Sequence, residues 1–355
     1  MHRGVAGRVS AGPIYNWIHR AWYEGAASGW LLVPFSGLYW LVLVLRKFLY
    51  GCGVLRTHRA AIPVLIVGNI TAGGTGKTPT VLWLVEALKD RGFKPGIVSR
   101  GYGGSKSDSS MRVEADTDAA VAGDEPVLLA RRGQCPVVVD PDRVRAAVML
   151  AEDGADVIVA DDGLQHYRLA RDYEICVIDG SRGLGNRRLL PSGPLRENAE
   201  RLETVDQVLV NGVLRGSEYE LTTAEQNAIS FELVASEACR LNGSLTRPID
   251  RFAGSTVHAV AAIGNPRRFF DLLRAQNIQV IEHVFPDHAV LTRKDLEFGD
   301  DFEIFMTEKD AVKLGSATKD KFWYVPVELQ MDPVLAAPLL EQITSRLKAN
   351  QDKHD

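Results

Sequence analysis

Lys77 and Thr78 end a glycine-rich stretch, and a pair of carboxylates, Asp161 and Asp162, follows a later apolar run. Residues 64–79 read VLIVGNITAGGTGKTP. An apolar run leads into Gly68, glycines follow, and Gly76-Lys77-Thr78 opens a helix predicted over 81–89. Strand, turn and helix N-terminus in that order let successive backbone N–H groups wrap a polyphosphate. Lys77 then neutralises it and the Thr78 hydroxyl ligates Mg²⁺. Thr71, Ala72, Gly73, Gly74, Thr75, Gly76, Lys77 and Thr78 are the candidate nucleotide ligands. Thr71 stands where the usual pattern has glycine, and Gly73 and Gly74 supply the backbone freedom.

Asp161-Asp162 stands where phosphate-loop NTPases place the acid that helps hold Mg²⁺, and paired carboxylates concentrate charge for a hard dication. Gln165 and His166 continue that loop, either in support of the site or in a purely structural role. In 191–197 (PSGPLRE), Arg196 can grip phosphate oxygens as a fork and Glu197 can join the metal shell; the same pair also suits a surface helix start. Asp124 is a candidate general base and His288, in FPDHAVL, a candidate partner, although spacing alone does not bring them together. Lys309 and Asp310 are open between reading a nucleobase and forming a strand-end turn.

The elements that position these residues follow from periodicity. Apolar runs at 95–99, 136–139, 157–160 and 174–178 read as buried strands, alternating with helices at 81–89, 127–131 and 142–151. That alternation predicts a doubly wound α/β sheet of the phosphate-loop NTPase type, parallel, with helices on both faces. Its ligands belong at the carboxyl ends of the strands, where the phosphate loop, the Arg100 turn and Asp161-Asp162 all fall. Residues 105–117 read as a surface loop. Beyond about 210 the character changes: 230–234 and 245–249 read as short strands, the second confined to a sheet edge by Pro248. A second, smaller α/β unit follows, with strands at 257–263, 280–284, 302–306 and 322–326, a helix at 266–276 and a closing amphipathic helix at 334–348. The expected organisation is an N-terminal segment 1–60, a phosphate-loop domain 61–210, a β-rich linker 211–252, a C-terminal domain 253–349 and a disordered tail 350–355.

The 355 residues carry 46% hydrophobic and 24% charged side chains, an ordinary globular balance, and a net charge of −4 that argues against a nucleic-acid partner. Four cysteines without metal-type spacing fit a reducing compartment. The first sixty residues differ, with seven basic side chains against one acid, Glu24. Within them 29–45 (GWLLVPFSGLYWLVLVL) carries no charge and is rich in aromatic and aliphatic residues. An interfacial helix, a short membrane span and a buried core helix are the three readings, with membrane contact favoured.

Together these segments resemble the tetraacyldisaccharide 4'-kinase family. The resemblance rests on VGNITAGGTGKTP, SRGYGG at 99–104, AGDEP at 122–126, DDGLQHYRL from Asp161, PSGPLRE from Pro191, AAIGNPRRFF from Ala261, FPDH from Phe285 and MTEKDAVK from Met306, in the family's order. Thr71 is that family's own variant of the loop. The resemblance implies transfer of the ATP γ-phosphate to the 4'-hydroxyl of a tetraacyldisaccharide 1-phosphate, in lipid A biosynthesis, at the cytoplasmic face of a Gram-negative inner membrane. It implies Asp124 as base paired with His288, and Lys77 and Thr78 on phosphates and Mg²⁺. Asp161, Asp162 and Glu197 would serve the metal, with Arg196 and His166 in support, and Arg100 and Tyr102 near the lipid. It further implies a β linker between the two domains and a membrane-holding N-terminus; no obligatory protein partner is inferred from the sequence. Two rivals remain: a soluble phosphate-loop enzyme acting on a small metabolite, and a nucleotide-switched membrane adaptor that hydrolyses ATP.

Overall fold

The computed structural model describes residues 13–25, 27–102, 104, 109–214, 221–287, 289–314 and 320–351. Two helices come first, α1 (Pro13–Tyr23) and α2 (Val33–Gly51). The phosphate-loop body then runs β1 (Val64–Gly68), α3 (Lys77–Lys89), β2 (Pro95–Ser99), β3 (Met111–Arg112), α4 (Ala119–Ala122), α5 (Asp124–Gly133), β4 (Val137–Val139), α6 (Arg143–Glu152), β5 (Val157–Asp161), β6 (Tyr173–Asp179) and β7 (Gln207–Asn211). After α7 (Thr223–Gln226), β8 (Ile229–Val234) leads to the second body. That body comprises β9 (Glu237–Arg240), β10 (Thr246–Pro248), β11 (Thr256–Ala261), α8 (Pro266–Ala275), β12 (Gln279–Val284), β13 (Glu303–Thr307), α9 (Glu308–Leu314) and β14 (Phe322–Val325). The chain returns through β15 (Glu328–Gln330) and ends in α10 (Pro333–Gln351).

The first sheet has nine strands in the order β15-β8-β7-β6-β1-β5-β2-β4-β3, parallel except at its two edges, β15 and β3. Central strands β1, β2, β5 and β6 are buried along their whole length, as continuous apolar runs require when helices cover both faces. On one face Leu84 and Leu88 of α3, Leu129 of α5 and Ile343 and Leu347 of α10 share a core with Val67, Val159 and Val177. On the other, Ala147 and Leu150 of α6 pack with Ile66, Ile158 and Cys176, and Tyr39 and Leu43 of α2 close the edge. The second sheet, β10-β9-β14-β13-β11-β12, sandwiches Phe270, Phe305 and Trp323 against α8 on one face. On its other face His258 and His283 lie among Val260, Ile304, Leu296 and Phe298.

Three expectations need correction. The helix read as closing the second domain packs on the first, because Leu339, Leu340, Ile343 and Leu347 complete the core over α3 and β6. The connection is two-stranded, but its second strand is β15 rather than 245–249: Leu233 pairs with Leu329 in an antiparallel ladder, while 246–248 edges the second sheet. The disordered tail expected from 350 does not start there. Asn350 is buried and donates to Asp172 Oδ1 at 3.0 Å, and Gln351 donates to the Asp156 carbonyl at 3.0 Å. Residues 352–355 lie outside the described residues.

Candidate functional site

Strand β1 lies between β5 and β6, with Val67 level with Asp161 and Gly68 level with Cys176. The loop leaving β1 and the carboxylates leaving β5 therefore emerge side by side at the carboxyl edge of the sheet. Asn69 Nδ2 braces the loop from within, donating to the Thr71 carbonyl at 2.8 Å and the Gly73 carbonyl at 3.3 Å. Thr71 forms a β-bridge with Leu195, flanked by Ala72 N to Pro194 O at 2.8 Å and Arg196 N to Ile70 O at 2.7 Å. A β-branched residue suits that extended position, which is why glycine is not needed there. The positive-φ positions are Gly73 and Gly76, at +107° and +103°. A side chain at Gly76 would also meet Asn211 Nδ2 at 2.7 Å, the atom that donates to the Thr75 carbonyl at 3.1 Å.

Asp162 adopts the left-handed φ of +51°, a conformation aspartate tolerates better than most residues. Its carboxylate pairs with Lys77 Nζ at 3.4 Å and accepts both 3.0 Å and 3.2 Å bonds from Arg196. Burial opposes its ionisation, yet Lys77 and Arg196 outweigh burial and hold its carboxyl well below the usual carboxylate range. Asp161 goes the other way. Burial, then the nearby Glu125 carboxylate, push it up to about 7, and among the described residues its Oδ1 has no hydrogen-bond partner. Arg143, itself buried, donates to the Asp161 carbonyl at 2.9 Å beneath the pair, and burial lowers its pKa.

Glu197 is fully buried and its carboxylate is claimed by protein groups. Gln165 Nε2 donates to Oε1 at 3.0 Å, while Tyr167 OH, Lys47 at 3.1 Å and Arg201 at 3.7 Å converge on Oε2. The structure therefore does not bring Glu197 to the cavity beside Lys77. His166 also lies off that cavity; burial, then Arg143, lower its pKa to about 4, and its Nε2 is buried without a partner among the described residues.

The second body closes over the loop. A cavity of about 420 Å³ has a polar end at 73–78, Asp162 and Arg196, and an apolar end at Leu82, Leu128, Leu233, Phe269 and Val325. Gly264 approaches so closely that a side chain there would meet the Gly74 amide nitrogen at 2.6 Å. Asn265 donates to Asp179 at 2.7 Å, and Arg268 to the Asn211 carbonyl at 2.6 Å. Across the cavity, α9 meets α5: Lys309 pairs with Glu125 at 2.9 Å, Lys313 with Asp124 at 3.3 Å and Arg132 with Glu308 at 3.1 Å. Asp310 is fully buried, accepting from Ala262 N at 2.9 Å and Thr307 Oγ1 at 2.7 Å, so it caps a turn rather than facing the cavity. Asp124 is buried at the N-terminus of α5. Tyr102 is exposed on the cavity wall and Arg100 is exposed beside it. His288 lies outside the described residues.

Helix α2 presents one stripe to this machinery. Ser36 hydrogen-bonds Ser192, Tyr39 OH donates to the Arg196 carbonyl at 3.0 Å, Arg46 to the Gln165 carbonyl at 3.1 Å, and Lys47 pairs with Glu197. Its other side exposes Phe35, Leu38, Leu41, Leu45 and Phe48. Only 6% of the most apolar 18-residue window within Gly29–Gly51 is buried, which removes the core-helix reading.

Spacing alone did not reveal Lys47, Arg143, Asn211, Arg268 or Lys313. For Asn211 a signal existed, the apolar run 208–210 ending in a polar residue at a strand end; for the rest, distant pairing left none.

A family model described as "Tetraacyldisaccharide-1-P 4'-kinase" matches residues 28–344. A tetraacyldisaccharide 4'-kinase of Nitrosococcus oceani is 45% identical over 332 residues, 93% of this chain and 95% of that protein. One from Pseudomonas aeruginosa is 46% identical over 319 residues, 89% of this chain and 94% of that protein. A crystal structure of LpxK from Aquifex aeolicus in complex with ATP superposes with a TM-score of 0.73 at 28% identity, covering 90% of this chain and 99% of that one. The chain belongs to the tetraacyldisaccharide 4'-kinase family, ATP-binding kinases of lipid A biosynthesis.

Proposed function

We propose that the enzyme transfers the γ-phosphate of ATP to the 4'-hydroxyl of tetraacyldisaccharide 1-phosphate, with Asp124 as general base. The observation that carries this reading is the convergence of Lys77, Asp162 and Arg196 on the polar end of a cavity that the second body covers, with Asp124 buried nearby on α5. Positioning and charge neutralisation are the protein's tasks in phosphoryl transfer. Backbone amides of 73–78 cradle the phosphates, Lys77 and Arg196 take up their charge, and Asp124 accepts the sugar proton. His288 assists that carboxylate from the second body. The apolar end of the cavity takes the adenine.

The donor set fits Mg²⁺: the Thr78 hydroxyl is a hard ligand, Asp162 is ionised, and Asp161 carries a buried oxygen that no described residue satisfies. Thr78, Asp161 and Asp162 would hold the ion, which supplies charge neutralisation at the phosphate oxygens when bound. Glu197 then acts one step back, fixing Gln165 and Tyr167 instead of touching the metal. Arg100 and Tyr102 face the lipid acceptor.

The two-sided α2 supports an interfacial seat on the cytoplasmic leaflet of the inner membrane: one stripe is bonded to the body, so the helix lies along it with its apolar side towards the lipid.

The test is transfer of labelled γ-phosphate to purified tetraacyldisaccharide 1-phosphate. Wild type labels the lipid, whereas Asp124→Ala loses about 10²–10⁴-fold in kcat with ATP affinity retained. An unlabelled lipid with the wild-type enzyme overturns the assignment, and an active Asp124→Ala overturns the role of the base.

A further inference from the structure

Lys313, on α9 of the second body, is a buried cation that meets more than one partner. Its Nζ lies 3.3 Å from Asp124 Oδ2 and 3.0 Å from Asp310 Oδ1, and it donates to the Ala289 carbonyl at 3.3 Å. The side chains of Lys313, Asp124 and Asp310 are all at least nine-tenths buried. Asp310 is itself pinned to the end of β11 and to Thr307, so the ammonium is held from behind by a fixed carboxylate. Lys309, one turn earlier, grips Glu125 next to Asp124, and Glu125 N donates to Asp124 Oδ1 at 2.9 Å. Among the described residues, the charges around Asp124 include Lys313 and Lys309 from α9 and Glu125 beside it on α5, with the Asp310 and Asp287 carboxylates close to the two lysines.

We propose that Lys313 is a positioning residue for the transfer reaction. It reaches across the boundary between the two bodies, fixes the Asp124 carboxylate in its ionised form, and holds the Ala289 carbonyl at the same point. Asp124 is then set for proton abstraction only when α9 is seated on α5. A lone buried carboxylate would be pushed towards its protonated, inactive form; an adjacent ammonium reverses that tendency. The geometry also explains why a lysine serves where α9 needs no more than a single turn of contact. Its compact ammonium donates to the Asp310 carboxylate and to the Ala289 carbonyl while lying in ion-pair contact with the Asp124 carboxylate.

This inference rests on Asp124 being the base, and the experiment separates the two claims. Wild type, Lys313→Met, Lys313→Arg and Asp124→Asn are compared as full-length enzyme with Mg-ATP and tetraacyldisaccharide 1-phosphate, with kcat and the KM for ATP measured from pH 5 to 9. Thermal unfolding is followed alongside. Lys313→Met is expected to lose at least about tenfold in kcat, with the KM for ATP within about twofold of wild type. Its acid limb moves to higher pH, because the carboxylate loses the cation that kept it ionised. Lys313→Arg keeps the charge, so it recovers part of kcat and leaves the acid limb near its wild-type position. A wild-type kcat in Lys313→Met overturns the proposal, as does an acid limb that moves equally in both lysine variants or in neither while Asp124→Asn is inactive. An active Asp124→Asn overturns the reading of the base itself. If Lys313→Met does not fold, the acid limb of Lys313→Arg still decides: displacement to higher pH overturns the proposal.

Discussion

His283 has its pKa lowered to about 4, by burial first and then by His258, whose Nδ1 meets it at 2.9 Å. His258 in turn faces Asp300 at 3.0 Å, and the Phe298 ring stacks on His283 at 3.9 Å. A folded-state value below the ordinary 6.5 means that the unfolded chain takes up a proton first as the medium acidifies. The stability tied to His283 is therefore complete above about pH 6.5 and is lost as pH falls towards 4. The loss is on the order of 3 kcal/mol at the acid end of that window. His283→Gln, which keeps a polar side chain but cannot titrate, should flatten the dependence of unfolding free energy on pH between 6.5 and 4.5. An unchanged slope places the acid sensitivity elsewhere. Asp161 and Asp162 show the same principle inside the site. Adjacent in sequence, they lie on opposite sides of the ordinary carboxylate range, because Arg196 bonds to one while the other is enclosed near Glu125. Sequence shows the pair but not this split, since Arg196, which joins Lys77 in holding Asp162 ionised, comes from thirty-four residues away.

Among the elements, α2 joins two tasks in one helix. Ser36, Tyr39, Leu43, Lys47 and Tyr50 recur at three- and four-residue spacing and form the stripe that meets the body. The opposite side is apolar and exposed, with Phe48 at 66% and Leu38 at 63%. Exposure on that scale in one contiguous strip marks an interaction surface. Leu41→Lys should weaken co-sedimentation with anionic phospholipid vesicles about tenfold, the equivalent of removing one inserted side chain, without disturbing the stripe. Unaltered partitioning would show that this side of α2 does not meet the bilayer. The apolar character of α2 was legible in the sequence, and so were the strand–loop–helix unit of β1 and α3 and the alternation that builds the first sheet. What remained hidden was pairing at a distance. Met111–Arg112 reads as loop because two residues carry no period, and Lys309 and Asp310 stay open between a base reader and a strand-end turn because the α5 acids that the lysines of α9 meet lie far away in sequence.

At the scale of the whole molecule, the second body is inserted into the first. Its exit strand β8 and return strand β15 pair directly, and α10 then covers the same face as α3. Amphipathic periodicity identifies α10 as a helix but not which sheet it serves, since either offers an apolar face. Ile343 is fully buried there. Ile343→Ala should cost about 2–5 kcal/mol, and the loss should fall on the unfolding transition that Mg-ATP raises. A loss confined to an ATP-insensitive transition would assign α10 to the second body after all.

The paired β8 and β15 also impose an order of events during synthesis. When β8 has left the ribosome, the ATP-binding body still lacks its edge strand and the helix that shields Leu84, Leu88 and Phe93. Roughly a hundred further residues, the whole inserted body, must be made before β15 and α10 emerge, several seconds at ordinary elongation rates. The kinase core is thus finished last by its own C-terminus, and a chain truncated just before α10 leaves one greasy face of its nucleotide-binding half open to aggregation.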